Sequence, residues 1–456
     1  MIDTNKLLND FNLLSSTNPC DFEYLTELES NLNSYKNFDR YSLGYSYEVY
    51  CRFQVFLQKM YDLLDKKKSE ATKLQIEKLE DNYKTYLYDY LDFVSDNSDT
   101  FVFMFSGVGK ITPLSGNRPV KLTLELISRN IPVLYSFWRY KNSTTQFMDL
   151  WDKTNLFQIP VDKALQSMMD IITYKLKCKN KIFVLSFPYP EASKYIEIFK
   201  FYGWSVVYDI RDDWEEFHLV NQAKWYNESY EYYSILKSNL VIATSQPLIN
   251  KFSSKINKEI HLVTNALDSK FIISKSRLNF IIDRNINKRK KIGYFGHLTS
   301  SWFDWDALIY AATKLPNYHF EIIGHSMPPE VDNLPSNISY IGPKTPDEIK
   351  SISMDWKIGI IPFKINKLTK AVDPIKVYEY LALDLKVVSF DMPQIRNYPE
   401  VKCANSFDEF VNLINISMNE KFNFSAVKEF LSNNLWSNRV DTIFELLSKN
   451  KLNKVW

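Results

Sequence analysis

Two series of short apolar runs constrain this chain more than any single motif. The first comprises Phe101–Phe105, Val133–Tyr135, Ile182–Leu185, Ser205–Tyr208 and Leu240–Ala243. The second comprises Ile292–Phe295, Phe320–Ile323, Ile358–Ile361 and Val387–Phe390. A continuous apolar run of this length suits a parallel strand buried on both faces. Segments of helical spacing separate the runs, so each series reads as successive βαβ units on a parallel sheet. The expected fold class is α/β, with two doubly wound Rossmann-like domains facing across a cleft. Ahead of them, residues 1–97 mix charged and apolar positions at helical spacing with almost no Gly or Pro, and predict a helical module. Within it, Lys66-Lys67-Lys68 reads as a solvated face. The domains are expected at 98–280 and 281–456, with the boundary in the polar stretch near 272–290.

At 456 residues the chain exceeds one ordinary core. Lys and Arg (56) nearly balance Asp and Glu (54), so charge gives no argument for a nucleic-acid partner. Cys20, Cys51, Cys178 and Cys403 are scattered without CxxC or Cys/His spacing, which argues against a zinc site and a disulfide framework. Met1–Lys6 shows no basic region leading into an apolar core, and no apolar run is long enough to span a bilayer. The expectation is a cytoplasmic protein, with work at the inner membrane face left open. No metal and no cofactor is expected.

Ligands of open α/β sheets bind beyond the carboxyl ends of the strands. After Phe105 comes Ser106-Gly107-Val108-Gly109-Lys110. A Walker A loop would need Gly five places before Gly109, where Met104 stands. Gly107 and Gly109 instead read as turns beside a ligand or the facing domain. After Tyr208 comes Asp209-Ile210-Arg211-Asp212-Asp213-Trp214-Glu215-Glu216-Phe217-His218. Asp212, Asp213 and His218 are candidates for general-base work or hydroxyl recognition. The competing reading is a helix N-terminus that collects acids to complement its dipole. After Phe295, Gly296-His297 can bring backbone N–H groups toward a diphosphate, and Gly324-His325 repeats the arrangement.

The segment Ala371–Ala382 carries the sharpest signal. Asp373 is expected as N-cap and Pro374 in the first helical turn. Lys376 and Glu379, three apart, then share a face near the helix start. They form either a grip on phosphate and sugar hydroxyls or a surface ion pair.

Taken together, the motifs resemble those of GT-B-fold glycosyltransferases of the family-4 type, particularly bacterial enzymes of surface-polysaccharide and teichuronic-acid assembly. Asn117-Arg118-Pro119 with Val133-Leu134-Tyr135 resembles the opening NRP…VLY unit. Tyr208–Asp213 resembles YDxxDD, and Ile292–Gly296 with Trp302-Phe303-Asp304 resembles GYxG…WFD. Pro362-Phe363, Leu368-Thr369 and Asp373–Ala382 resemble PF…LT…DPxKxYEYLA. Trp436 and Arg439 resemble a W…R helix that returns toward the N-terminal domain. The matches span about residues 100–450, and residues 1–97 match nothing in the pattern.

This resemblance implies transfer of a sugar from a nucleotide-sugar to a glycan, lipid-linked or protein acceptor, without a metal and with retention of anomeric configuration. It implies donor contacts from Gly296, His297, Gly324, Thr369, Asp373, Lys376 and Glu379. Gly107, Gly109 and Arg118 are expected on the acceptor side of the cleft. Two departures stand out. Ala371 occupies the usual position of the first acid, and Leu298–Asp306 lacks the Arg and Lys that often follow the Gly-rich strand. They add weight to a rival reading, a non-catalytic nucleotide-sugar-binding partner subunit, and the same two-domain fold also serves a second rival, a nucleotide-sugar epimerase. The N-terminal helices can serve acceptor recognition, self-association or membrane contact.

Overall fold

The structure, a computed structural model, describes residues 9–12, 14, 22–33, 47–112, 115–138, 151, 154–269, 290–328, 331 and 334–452. The boundary expected near 272–290 lies outside the described residues except for Lys290. Two compact units are present: Met1–Tyr90 with Arg139–Asp152, and Leu91–Trp138 with Lys153–Trp456.

The first unit contains α1 (Phe22–Asn33) and most of α2 (Tyr47–Asn97). Leu25, Leu28 and Leu32 recur at helical spacing on α1, as do Leu57, Met60 and Leu64 on α2, and these side chains bury one another. Lys68, read as part of a solvated face, instead reaches back to Glu29 at 2.5 Å, and Lys66 is exposed. The ring of Trp151 meets that of Tyr90 edge-on at 5.6 Å.

The second unit holds two all-parallel sheets. In the first, β1 (Thr100–Phe105), β2 (Val133–Phe137), β3 (Leu156–Pro160), β4 (Asn180–Leu185), β5 (Ser205–Ile210), β6 (Leu240–Ala243) and β7 (His261–Leu262) run in the order 3-2-1-4-5-6-7. In the second, β8 (Lys291–His297), β9 (His319–His325), β10 (Ile338–Gly342), β11 (Trp356–Ile361), β12 (Lys386–Phe390) and β13 (Val401–Ala404) run in the order 10-9-8-11-12-13. The strands that the apolar runs leave unmarked, β3, β7, β10 and β13, are the four sheet edges. An edge strand packs less of its surface, so Lys402 and Ser339 are tolerated there and the apolar run breaks.

The site residues are carried or supported by α3 (Arg118–Ser128), α4 (Trp214–Leu219), α5 (Trp305–Lys314), α6 (Ile375–Ala382) and α7 (Trp436–Leu452). Helix α7 follows the second sheet in sequence but packs on the first lobe. Trp436, Val440 and Leu447 share a core with Val120, Leu122 and Leu126 of α3 and with β1, β4 and β6. Arg129 fixes the contact by donating to Asp441 at 2.5 Å and to the Ser437 carbonyl at 2.9 Å. The lobes also meet where Ser245 donates to the Ala371 carbonyl at 2.6 Å and the Asn265 N–H donates to Asp373 at 2.6 Å. The strand order reverses at β1/β4 and at β8/β11, so each sheet opens a crevice at the carboxyl ends of those strands. The two carboxyl-end faces approach one another where the rings of Phe217 and Trp302 lie 6.3 Å apart.

Candidate functional site

The crevice of the second sheet is built from paired strand ends. Gly296 and His297 of β8 stand in register with Gly324 and His325 of β9. The absence of side chains at the two glycines allows this close approach, since a Cβ on Gly324 would stand 1.9 Å from the Gly296 carbonyl oxygen. The two imidazoles beyond them lie 4.0 Å apart, edge to face. Packing around His297, then the neighbouring His325 and Lys376, lower its pKa, so the ring is neutral near pH 7. The Tyr294 hydroxyl donates to the His297 carbonyl at 2.8 Å and fixes the turn.

Helix α6 delivers its side chains to this turn. The ammonium of Lys376 sits 5.3 Å from the Tyr294 ring centroid and 5.0 Å from that of Phe363. Burial lowers its pKa to about 8, against the favourable charge of Glu379. Glu379, one turn on, is pushed up by burial despite Lys121 and Lys376 nearby. Both side chains are half-buried, and neither makes a hydrogen bond or ion pair among the described residues. The surface ion pair is therefore not what this spacing produces. A half-buried ammonium resting on two aromatic faces retains its donors for an anion, and the α6 N-terminus beside it carries no side-chain cap.

Helix α6 begins one residue later than the sequence predicts. Pro374 is the N-cap, and Asp373 lies before it. The Asp373 carboxylate, 3% exposed, receives the Asn265 N–H and the hydroxyls of Tyr378 at 3.1 Å and Tyr398 at 3.3 Å. It thus binds the lobes together instead of capping the helix. Thr369 is likewise engaged locally, donating to the Lys364 carbonyl and receiving the Asn366 N–H at 3.2 Å. It completes the capping box of a single helical turn, Lys367–Lys370, so its hydroxyl is spent there.

On the first lobe, the positive φ of Gly107 turns the chain beneath Phe187, whose ring a Cβ would strike at 2.4 Å. Gly109 has open space in place of a side chain, and its carbonyl receives the Tyr135 hydroxyl at 3.2 Å. Arg118, expected in the cleft, is instead buried at the lobe junction. Its Nε donates to both oxygens of Asp209 at 2.9 and 3.1 Å, and Nη1 reaches the Thr264 carbonyl at 3.0 Å. Arg439 of α7 donates to the same carbonyl at 2.9 Å.

The acidic segment divides by residue. Asp213 caps α4, accepting the Glu216 N–H at 3.2 Å, and pairs with Lys251 at 2.6 Å. That is the helix-terminus reading, so Asp213 has little left for general-base work. His218 closes the last turn of α4, its Nδ1–H donating to the Ala223 carbonyl at 2.9 Å, and the residue is exposed. Asp212 makes no hydrogen bond among the described residues and holds a loose ion pair with the Arg211 Nε at 3.6 Å. Burial, reinforced by Asp209 and Asp213 and opposed by Arg211, pushes its carboxyl up to about 6. Sequence reasoning missed Tyr294 and Phe363 as the seat of Lys376, since an aromatic within an apolar strand reads as core.

No protein-family model matches the chain. Over 211 residues it is 24% identical to TuaH of Bacillus subtilis strain 168, a glycosyltransferase assigned by name to teichuronic acid biosynthesis. The aligned region covers 42% of this chain and 52% of TuaH, so the chain spans about half the length of the curated relative it matches. Among solved structures it is similar to a glycosyltransferase of Rickettsia africae at 14% identity, covering 78% of this chain and 99% of that one, with a TM-score of 0.54. Sucrose-phosphate synthase of Thermosynechococcus elongatus aligns at 10% identity over 78% and 98%, with a TM-score of 0.53. HepE of Anabaena, solved with UDP, aligns at 14% identity over 77% and 100%, also at 0.53. With its two parallel sheets and returning C-terminal helix, the chain has the GT-B fold of these glycosyltransferases.

Proposed function

We propose that this protein is a glycosyltransferase that moves a sugar from a nucleotide-sugar onto a glycan, lipid-linked or protein acceptor. The observation that carries the reading is Lys376, a half-buried ammonium without an anionic partner among the described residues, set against Gly296 at the carboxyl end of β8. A diphosphate placed there meets the cation and the uncapped α6 N-terminus, and both stabilise the charge that develops as the sugar leaves. Glu379, one turn further, is placed for sugar or ribose hydroxyls. Its carboxylate oxygens are placed to accept from those hydroxyls. Neutral His297 adds a hydrogen-bonding group without adding charge.

Metal-independent transfer with retention at the anomeric carbon belongs to the same proposal. The resemblance in motif order supports it, as does the phosphate-side cation. The similarity to TuaH, named for teichuronic acid biosynthesis, supports a place in cell-surface polysaccharide assembly. No helix among the described residues is long and apolar enough to cross a membrane.

Donor binding is tested by thermal shift against UDP-, GDP-, TDP- and CMP-sugars, followed by a transfer assay with the donor that binds. Lys376→Ala and Glu379→Ala are expected to lose transfer at least a hundredfold while melting like the wild type. Near-normal transfer in both would remove these residues from the site. Interconversion of UDP-sugars without acceptor would favour an epimerase, and binding without transfer or hydrolysis would favour a partner subunit.

A further inference from the structure

At the carboxyl end of β5, the Arg211 side chain is 9% exposed yet makes no hydrogen bond among the described residues. Its Nε is enclosed without an acceptor, since the nearest carboxylate oxygen, on Asp212, lies 3.6 Å away. A guanidinium carries five N–H donors in a rigid fork, and leaving the enclosed Nε–H without an acceptor is costly. The group is nonetheless held firmly. Its backbone carbonyl receives the Thr244 hydroxyl at 3.0 Å, and its guanidinium stacks 4.9 Å from the Trp214 ring centroid. Beside it, Asp212 is 28% exposed and free of hydrogen-bond partners among the described residues.

Rings continue outward from Trp214. Trp225 lies 5.2 Å from it, Tyr189 lies 6.1 Å from Trp225, and Trp138 lies 5.6 Å from Tyr189. Trp225, Tyr189 and Trp138 are half-buried, so each leaves part of its ring open. They come from the ends of β2 and β4 and from the segment after α4, which places them at the crevice of the first sheet. An open aromatic ring, walled by others at steep angles and near a donor fork and a carboxylate, complements a pyranose. The C–H groups of a sugar form an apolar face, while vicinal hydroxyls each donate and accept. A polyprenyl or acyl chain gains nothing from the guanidinium. An extended peptide pairs with an open sheet edge, whereas these rings stand at strand ends.

We propose that this end of the first sheet binds a pyranose of the acceptor, its ring on the open part of Trp225, with Tyr189 and Trp138 walling it at steep angles and its vicinal hydroxyls bridging Arg211 and Asp212. The acceptor is then a glycan recognised through its sugar. The inference rests on the glycosyltransferase reading above and selects among its three acceptor classes.

The test presents the full-length protein to an immobilised array of neutral and acidic oligosaccharides from bacterial capsules and cell walls. Binders are followed in solution by tryptophan fluorescence, and UDP binding is measured in parallel by calorimetry. The expected result is binding of at least one oligosaccharide with a fluorescence change. Arg211→Met and Trp225→Ala should each weaken it tenfold or more, with UDP affinity kept within twofold as evidence of an intact fold. Oligosaccharide binding that survives both substitutions would overturn the proposal. So would a protein that binds UDP but no array member. Failure of the wild-type protein to bind UDP would sink the donor site instead, and the array would still decide the sugar face.

Discussion

Gly296 and Lys376 share one small volume: a Cβ built on Gly296 would lie 3.3 Å from both Cε and Nζ of Lys376, and 3.1 Å from the Tyr294 hydroxyl. The glycine also has φ of +142°, which side chains with a Cβ rarely adopt. Glycine at this strand end therefore makes room for the cation as well as for the turn.

Gly296→Ala is accordingly expected to push the Lys376 ammonium off its aromatic seat. UDP affinity should fall about tenfold, or about 1.4 kcal/mol. Titration calorimetry on the variant checks this, and an unchanged dissociation constant would show that the ammonium does not need that position.

The charge on Lys376 makes binding and stability respond to pH in opposite directions. With the pKa lowered to about 8, the free protein loses this cation as pH rises through that value, so UDP affinity should weaken between pH 7 and 9. Between about 8 and the ordinary value of 10.5, the folded chain holds fewer protons than the unfolded one, so this group's contribution to stability rises with pH. Affinity measured across that range should show the fall in the wild type and a flatter profile in Lys376→Ala.

Arg118 and Asp209 form an ion pair with 3% and 0% of their side chains exposed. Removing one partner leaves the other charge buried, which costs about 3–5 kcal/mol. Asp209→Ala should lower the urea midpoint accordingly, and Asp209→Asn by less, because it keeps an acceptor. A loss below about 1 kcal/mol for the alanine variant would contradict the structural role assigned to the pair.

Glu231 is fully buried behind β5, receiving the Tyr208 hydroxyl at 2.9 Å with the Tyr226 hydroxyl beside it. Burial pushes its carboxyl up to about 7. Its contribution to stability is complete below the ordinary value of 4.5 and is lost as pH rises through about 7. Glu231→Gln removes the titration, so the variant should gain on the wild type between pH 5 and 8, by on the order of 3 kcal/mol at the upper end. Parallel pH-dependent denaturation curves for the two proteins would exclude it.

The interior strands were legible because a strand buried on both faces must be apolar throughout. Phe101–Phe105 and Ile358–Ile361 could hardly read otherwise. The edges were not, since β7 spans two residues and β10 exposes Tyr340. Site residues divide by a similar logic. Lys376 and Glu379 were legible because their spacing and the adjacent Pro374 are local properties of one helix. The commitments of Asp213 to Lys251, Arg118 to Asp209 and Asp373 to Asn265 join residues 38, 91 and 108 positions apart, and no local pattern records them.

Backbone sterics and hydrophobic periodicity act over a few residues, and they suffice for features of that reach. Two parallel sheets, the glycines at the ends of β8 and β9, and a helix carrying a cation and a carboxylate one turn apart are all written in the residue order. Which charged groups are spent on the fold, and which stay free for a ligand, is settled by the folded chain alone. Burial and long-range pairing set that division. They neutralise Asp213 and Arg118 against distant partners and leave Lys376 and Glu379 without a hydrogen bond or ion pair among the described residues.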